Sequence, residues 1–306
     1  MGRCTYCPHT TQPGWRSRHM PPEVFAALWP LMLRSSRVHL QGWGEPFLHP
    51  HFMEFAKLAL RAGCRVSTTT CGLCMNEKLA EELVDSGVDI VAFSLTGTDA
   101  VSNAARVNVP FDKVQDAVHT LQRVRKAKQG VHLELHLAYL LLASQMQALR
   151  GLPELMETWD LHAVVVSTLD YLPTPDLACE AFLPSEREKI STARAILHDI
   201  GSQIRQSGRD FYASLPMEHP APQCRERVHR TLYVSTGGDI SPCVYLNVPS
   251  DPPDPRRTVF GSITNEDPLH IWAKEEYQAF RQAVHTETPP SACMTCPKRY
   301  EQSCDD

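Results

Sequence analysis

The first half of the chain alternates between two hydrophobic periods, one typical of strands and one typical of helices. Runs rich in β-branched and apolar residues predict five strands, at Val38–Gln41, Arg65–Thr70, Val88–Leu95, Val131–Leu142 and Ala163–Leu169. Apolar positions spaced three and four apart predict helices at Pro21–Leu33, Phe52–Ala62, Asn76–Ser86, Phe111–Lys128 and Ser144–Trp159. This alternation predicts an α/β fold, with right-handed βαβ units around a parallel sheet or barrel.

The pattern changes after Leu172, where prolines interrupt the chain. A helix is predicted at Ser185–Ser207, and beyond a second proline-rich stretch short strands include a hairpin around Gly237 and Gly238. A last helix is predicted at Asp267–Arg281, where an acidic cap precedes proline at the first helical position. We therefore divide the chain into a barrel at residues 1–172, a helical linker at residues 173–222 and a cysteine-rich domain at residues 223–306.

Two motifs in the predicted barrel carry chemistry. Cys4 and Cys7 are separated by two residues, with Tyr6 before the second, a spacing typical of metal or cluster sites. Taken alone, the spacing leaves zinc, redox dithiol and iron–sulfur sites open. The second motif, Gly42–Pro46 (Gly-Trp-Gly-Glu-Pro), directly follows a predicted strand. Glycines there allow a ligand to approach the backbone, and the carboxylate of Glu45 can accept a hydrogen bond from an amine.

Together these motifs resemble those of radical SAM enzymes, which bind a [4Fe–4S] cluster through C-x-x-x-C-x-x-C and S-adenosylmethionine (SAM) through a second, G-G-E motif. The resemblance implies a partial (β/α)6 TIM-like barrel in which Cys4 and Cys7 are the second and third cluster ligands. It also implies that Glu45 and the Gly42–Gly44 backbone hold the SAM amino group, Tyr6 lies by the adenine and Ser94 reaches the ribose or carboxylate side. The implied cofactor-binding residues are thus Tyr6, Gly42, Trp43, Gly44, Glu45 and Ser94.

The same resemblance implies the chemistry. Three thiolates leave the fourth iron of the cluster open to chelate SAM; one-electron cleavage of the sulfonium yields a 5′-deoxyadenosyl radical that abstracts a substrate hydrogen. The first cysteine of the motif would fall immediately before Met1, and the first of six barrel strands would precede it. We therefore expect that Met1 is an internal methionine, and that the chain as numbered cleaves SAM poorly or not at all.

Four cysteines in the last part of the chain form a second set, Cys224, Cys243, Cys293 and Cys296. A small domain gains folding free energy from a metal or cluster, and four thiolates suit zinc as well as iron–sulfur. The order C-x13-G-x4-C, followed after a long gap by C-x2-C, resembles the SPASM and twitch domains of radical SAM enzymes. That resemblance implies one auxiliary [4Fe–4S] cluster, which could take an electron from the substrate, and we expect Cys304 to be dispensable for it.

Composition narrows the class of protein. The net charge of −5 offers no overall attraction for nucleic acid, and no apolar run approaches the ~20 residues that span a bilayer. The sequence has 11 cysteines and no signal peptide, which predicts a reducing, cytoplasmic location. Cys64 and Cys179 are expected to be buried, and Cys71 and Cys74 to be either incidental or substrate-facing.

The sequence therefore predicts a radical SAM oxidoreductase or maturase that modifies a peptide or dehydrogenates a small molecule, with flavodoxin or ferredoxin as electron donor and without nucleic-acid or membrane partners. Two alternatives stay open at this point. One is a zinc-binding structural or interaction protein, in which both cysteine sets are structural. The other is a degenerate radical SAM scaffold without catalysis.

Overall fold

A curled, mostly parallel sheet forms the centre of the molecule. The computed structural model describes residues 2–12, 14–221 and 223–304. Seven strands pair in the order β1-β2-β3-β4-β5-β6-β10, the first six parallel and the last antiparallel. Their bounds are β1 Arg37–His39, β2 Arg65–Thr70, β3 Ile90–Leu95, β4 Glu134–Leu141, β5 Ala163–Thr168, β6 Asp210–Pro216 and β10 Glu301–Ser303. The predicted α/β partial barrel is thereby confirmed.

Helices lie between these strands along the chain and in the C-terminal region. The ten helices in the described part are α1 Pro8–Thr11, α2 Pro22–Ala26, α3 Trp29–Met32, α4 Phe52–Arg61, α5 Glu77–Ser86, α6 Phe111–Ala127, α7 Leu152–Thr158, α8 Arg187–Gln206, α9 Pro268–Ala273 and α10 Glu275–Ala283. Asn76 caps α5 by accepting from the Leu79 N–H at 2.9 Å, and Gly87 ends it with a left-handed φ of 84°. Their apolar faces join the strands in one buried core, which includes Leu83, Phe93 and Leu137.

The structure divides three of the predicted helices into shorter elements. The helix predicted at Pro21–Leu33 is two short helices, because Pro30 lacks the N–H that a continuous helix needs. The predicted Ser144–Trp159 helix is 3₁₀ at Ala143–Gly151 and α-helical only from Leu152. The last predicted helix breaks at Lys274, whose extended backbone separates α9 from α10.

Strand β6 was not predicted from the sequence. It lies in the segment assigned to a helical linker, and it pairs in parallel with β5 while α8 packs beside it. This segment therefore contributes a strand and its covering helix to the main sheet; the boundaries between the three parts stay a prediction. Within the described residues, no helix combines the length and the apolar character needed to cross a bilayer.

The C-terminal region contains a small antiparallel sheet and a strand that returns to the main one. Strands β7 Tyr233–Val234, β8 Asp239–Ser241 and β9 Gly261–Ser262 form the small sheet. The left-handed φ of 90° at Gly238 allows the turn between the first two strands, as predicted for a hairpin. Strand β10 pairs with β6, so the end of the described chain lies against the barrel.

Candidate active site at the strand ends

The Glu45 carboxylate lies at the carboxyl ends of β1 and β2. One oxygen, Oε1, accepts a hydrogen bond from Thr70 Oγ1 at 2.7 Å and another from the Phe47 N–H at 3.3 Å. The other oxygen, Oε2, accepts a hydrogen bond from the Cys71 N–H at 2.7 Å. A carboxylate has about four acceptor positions, so these three bonds leave one, beside which the Cys71 thiol, a weak donor, also lies. Glu45 is therefore oriented by β2 and still able to accept from an amine.

Ser94 and the two glycines of the motif lie around this carboxylate. Ser94, at the end of β3, donates its hydroxyl to the Thr70 carbonyl at 3.3 Å. A Cβ placed on Gly42 or on Gly44 would meet no protein atom within 4 Å. The backbone on either side of Trp43 thus faces open space, as a site for close approach of a ligand requires. The structure brings Gly42, Gly44, Glu45 and Ser94 to one edge of the sheet.

Cys4 and Cys7 lie in a loop that is held against the segment following β3. The Arg3 N–H donates to the Val107 carbonyl at 2.8 Å, and the Thr5 N–H to the Ala105 carbonyl at 2.9 Å. The Cys7 N–H donates to the Cys4 carbonyl at 3.2 Å, which places both thiols on one turn. Burial raises the pKa of the Cys7 thiol, and its neighbour Cys4 adds to this effect. The expectation about Met1 lies outside the described residues.

Tyr6 packs beside this turn, against the apolar side chains Leu142 and Leu169 near the ends of β4 and β5. Burial raises the pKa of its hydroxyl, and the charge of Arg106 opposes that shift. Arg106 donates to the Tyr6 hydroxyl at 3.4 Å.

Arg106 is a site residue that the sequence analysis missed. It is 6% exposed, its Nε has no hydrogen-bond partner, and no carboxylate in the described part of the chain pairs with it. Its positive charge lowers the pKa values of Cys7 and Cys71, against the larger effect of burial in each case. A buried cation without a counter-ion is costly, which indicates that an anion belongs here.

The Trp43 ring contacts aromatic side chains from three other parts of the chain. Its ring lies 6.1 Å from that of Trp15, 5.8 Å from that of Tyr171 and 6.0 Å from that of Tyr245, between centroids. Its indole nitrogen is buried and has no partner within the described residues. Trp43 therefore joins the Gly42–Glu45 motif to the C-terminal region.

The four predicted C-terminal cysteine ligands lie near one another. Cys224, Val228 and Val284 form a small buried cluster, on which Cys243 and Cys293 pack. Burial raises the pKa of Cys224 to about 11 and that of Cys296 to about 12; Cys293 adds to both shifts. Burial raises the pKa of Cys243 as well, with a contribution from Cys296. Four neighbouring thiols suit a centre of several metal ions rather than one ion, and they would lose their protons on binding it.

The remaining cysteines lie apart from this group. Cys304 follows β10 and packs against the main core, with its N–H donating to the Ala213 carbonyl at 3.0 Å. Cys64 is buried, as expected, at 3% exposed. Cys179 is exposed, so its predicted burial is wrong; the 3₁₀ helix Pro175–Glu180 turns it toward solvent. Cys71 lies beside Glu45, and burial together with that carboxylate raises its pKa to about 12.

A buried ionic network joins the C-terminal region to the barrel. Lys298 Nζ lies 2.6 Å from an Asp170 carboxylate oxygen and 3.2 Å from both oxygens of Glu301. Thr168 donates to Asp170 at 2.8 Å, and Ser214 donates to Glu301 at 3.2 Å. Burial lowers the pKa of Lys298, but the neighbouring carboxylates have the larger combined effect and hold that pKa above its usual value. The network ties the chain after Cys296 to the end of β5.

The chemistry of the cysteine thiols and of the Glu45 site fits the cofactors that the sequence implied. Thiols are the ligands that iron–sulfur clusters use, and open backbone with a free acceptor suits an amino group. In residues 2–12, 14–221 and 223–304, no three histidine, cysteine or acidic side chains are close enough to hold a single metal ion. Fold and site together define a partial-barrel enzyme with one cysteine site at its strand ends and a second in a C-terminal domain.

Comparison with known proteins identifies the family. The profile of the radical SAM superfamily matches residues 1–137, and that of the SPASM iron–sulfur cluster-binding domain matches residues 224–297. The chain is a radical SAM enzyme with a C-terminal SPASM domain. A [4Fe–4S] cluster, SAM and auxiliary iron–sulfur binding belong to this family, which excludes the zinc-binding structural alternative.

Its relatives include enzymes that act on peptides and on cofactors. The chain is 22% identical over 285 residues to the tungsten-containing aldehyde ferredoxin oxidoreductase cofactor-modifying protein of Pyrococcus furiosus, covering 88% of this chain and 75% of that one. It is also 22% identical over 269 residues to the PqqA peptide cyclase of Granulibacter bethesdensis, covering 86% and 67%.

Solved structures share the fold. SuiB of Streptococcus suis bound to SAM superposes with a TM-score of 0.71 at 15% identity, covering 98% of this chain and 68% of that one. Native anSMEcpe with bound SAM gives a TM-score of 0.68 at 14% identity, covering 97% and 84%.

Proposed function

We propose that this enzyme binds SAM at the carboxyl ends of β1 to β3 and removes a hydrogen atom from a residue of a peptide substrate. The observation that carries the proposal is the arrangement of Glu45, the open Gly42 and Gly44 backbone and buried Arg106 at one end of the sheet. When bound, the cluster and SAM supply the one-electron chemistry that the side chains themselves lack.

Each site residue has a role in holding these groups. Cys4 and Cys7 would supply thiolates to the [4Fe–4S] cluster, on the turn that residues 105–107 hold in place. Glu45 would accept from the SAM amine with its remaining acceptor position, beside the Gly42–Gly44 backbone. Tyr6 would lie beside the adenine and Ser94 near the ribose. In the SPASM domain, an auxiliary cluster would be held by Cys224, Cys243, Cys293 and Cys296.

Arg106 would hold the SAM carboxylate. Its guanidinium is buried beside Tyr6, Cys7 and Cys71, so a carboxylate placed there would supply the missing counter-ion. A charge-assisted hydrogen bond of this kind contributes about 1.5–3 kcal/mol. Glu45 and Arg106 would thus bind the two ends of the same amino-acid group.

Two observations favour a peptide as the substrate. PqqA peptide cyclases are named for a peptide, and SuiB has been solved with its precursor peptide SuiA. In this chain, a wide cleft leads to Gly42–Glu45 between the barrel and the C-terminal region. We place the enzyme in a reducing cytoplasm, where flavodoxin or ferredoxin would deliver the electron.

The experiment measures binding of SAM and of decarboxylated SAM to anaerobically reconstituted protein. The Arg106→Gln variant should bind SAM about 10- to 150-fold more weakly, with little change for the decarboxylated analogue. The conservative Arg106→Lys variant should recover part of the loss. An equal loss of affinity for both ligands would show that Arg106 does not bind the SAM carboxylate.

Turnover is tested separately. Reduced protein that carries the complete three-cysteine motif should form 5′-deoxyadenosine from SAM, and a deuterated peptide substrate should transfer deuterium into that product. SAM binding without any 5′-deoxyadenosine under reducing conditions would instead favour the scaffold without catalysis.

A further inference from the structure

The loop beside the proposed site of the SAM amino group has a single side chain of its own. Glu45 is oriented by β2, but between Gln41 and Glu45 the chain has only Trp43, with Gly42 before it and Gly44 after it. Glycine loses more conformational freedom than any other residue when its backbone is fixed, so a loop of this composition does not hold one conformation by itself. The contacts of Trp43 are therefore the side-chain contacts that fix this loop.

Trp43 contacts a tyrosine that closely follows one of the proposed cluster ligands. The centroid of the Trp43 ring lies 6.0 Å from that of Tyr245, with 69° between the ring planes. Aromatic rings favour this edge-to-face arrangement because the positive edge of one ring meets the negative face of the other. Tyr245 lies in the 3₁₀ turn that begins directly after Cys243, where the Leu246 N–H donates a hydrogen bond to the Cys243 carbonyl at 3.3 Å. The position of Cys243 is thus linked to the Trp43 ring through one short turn.

A second connection runs from another proposed cluster ligand to the same tryptophan. Lys298 lies two residues after Cys296, in a 3₁₀ turn. Its Nζ lies 2.6 Å from a carboxylate oxygen of Asp170, and both side chains are buried. The next residue after Asp170 is Tyr171, whose ring centroid lies 5.8 Å from that of Trp43. Two of the four proposed ligands are therefore linked to Trp43 by separate routes.

The two tyrosines also contact each other. The rings of Tyr171 and Tyr245 stack with their centroids 6.4 Å apart and 14° between their planes. The hydroxyl of Tyr171 further donates a hydrogen bond to Asp254 at 3.3 Å. Trp43, Tyr171 and Tyr245 thus form a three-ring cluster, built from the segment after β1, the segment after β5 and the SPASM domain. The Trp43 ring is held by two residues whose own positions depend on segments that carry cluster ligands.

We propose that Trp43 is a positioning residue through which folding of the SPASM domain strengthens the binding of SAM. In the folded domain, Tyr245 holds the Trp43 ring, so the backbone of Gly42–Gly44 is ordered before SAM binds. When the auxiliary cluster is lost, the segment around Tyr245 unfolds, and SAM must order the loop at the expense of its own affinity. This role rests on the placements of SAM and of the auxiliary cluster proposed above.

The first test is a double-mutant cycle on the affinity of anaerobically reconstituted protein for SAM. Trp43→Leu and Tyr245→Leu should each weaken SAM binding by about 5- to 150-fold. The double variant should bind SAM within about twofold of the weaker single variant, because both changes remove the same contact. Trp43→Phe retains an aromatic ring and should recover part of the lost affinity.

A matched control changes a tryptophan outside the three-ring cluster. Trp29 lies in α3, is partly buried and packs against the main core. Trp29→Leu should lower the stability of the protein but leave its affinity for SAM within about twofold of the parent.

The second test measures the reverse effect, because coupling between two binding events is reciprocal. In the parent protein, added SAM should slow hydrogen exchange of the backbone amides in the 3₁₀ turn Val244–Leu246. In Trp43→Leu protein, a saturating concentration of SAM should leave exchange in this turn unchanged. This measurement requires no turnover, and the Trp43→Leu change leaves the residues of the SPASM domain as they are.

Two outcomes would overturn the coupling. One is a cycle in which the losses of Trp43→Leu and Tyr245→Leu add, since the two side chains would then act independently. The other is SAM-dependent slowing of exchange that persists in Trp43→Leu protein. The variant Glu45→Ala separates these failures from failure of the proposed function. Unchanged SAM affinity in Glu45→Ala would overturn the SAM site and this role of Trp43 with it, whereas weakened affinity together with an additive cycle would contradict the coupling alone.

Discussion

The barrel and the cysteine region after Cys224 are held together in different ways. The barrel buries a large set of aliphatic and aromatic side chains between its sheet and helices, among them Phe93, Leu135 and Trp159. In the cysteine region, the separate buried cluster has six apolar members, of which three are cysteines: Cys224, Val228, Val284, Cys243, Phe280 and Cys293. Ile240, Ile271 and Tyr277 of the cysteine region join the main core, but the separate cluster around the cysteines buries little apolar surface of its own.

This difference implies that the two regions respond differently to loss of their ligands. Around the cysteines we expect binding and folding to be coupled, because the thiols form much of the separate cluster there. At the barrel site, the residues around Glu45 are held by the strand ends themselves, so a ligand adds affinity rather than structure. The Lys298 network is one of the contacts through which the regions depend on each other, together with the pairing of β10 and β6.

The largest effect is expected from losing a cysteine of the small cluster. Cys243→Ala should lower the iron content and unfold the cysteine region, while the barrel retains its sheet. Iron analysis together with hydrogen exchange of the two regions measures both effects. Cys304→Ala is the matched control, because Cys304 packs on the main core. If Cys304→Ala loses as much iron as Cys243→Ala, our choice of four ligands is wrong.

The next largest effect is expected at the Lys298 network, which is the junction between the two regions. Lys298→Met would leave the carboxylates of Asp170 and Glu301 buried without their cation, which should lower the free energy of unfolding by about 3–5 kcal/mol. Denaturant titration followed from both regions should show the loss in each. The exposed Lys128, paired with Asp85, offers a control: Lys128→Met should cost less than about 1 kcal/mol. Similar losses for the two variants would contradict the proposed junction.

The sequence could predict the barrel because its signals are local. Strands β2 to β5 follow from hydrophobic runs, and Gly42–Glu45 and the cysteine spacings are short motifs. Strand β6 was not predicted because it ends at Pro216 in a proline-rich stretch, where the sequence patterns of linkers and strands are similar. Arg106 and the Lys298 network were not predicted because their partners are distant in sequence. Tyr6 is 100 residues from Arg106, and Glu301 is 133 residues from Thr168. Such contacts follow from topology, which no local pattern encodes.

A smaller effect, confined to the barrel, is expected from Glu45→Ala. Loss of the acceptor should weaken SAM binding by about 1.5–3 kcal/mol, roughly 10- to 150-fold, without loss of auxiliary iron. Thr70→Val is the control for structure, because it removes a hydrogen bond to Glu45 but leaves the carboxylate in place. It should lower stability while largely retaining SAM affinity. Unchanged affinity for SAM in folded Glu45→Ala protein would show that Glu45 is not part of the SAM site.

The smallest effect tests whether the barrel is stabilised independently of the cysteine region. Asn76 caps α5, far along the chain from either cysteine set, and Asn76→Ala should cost about 1 kcal/mol because the Leu79 N–H loses its acceptor. Asn76→Asp retains an acceptor and should be close to neutral. Calorimetry should show a decrease of about 2–4 °C in the barrel transition, with iron content unchanged. Loss of iron on removing this cap would show that the two regions unfold together, and the difference between them would then lie in composition rather than in stability.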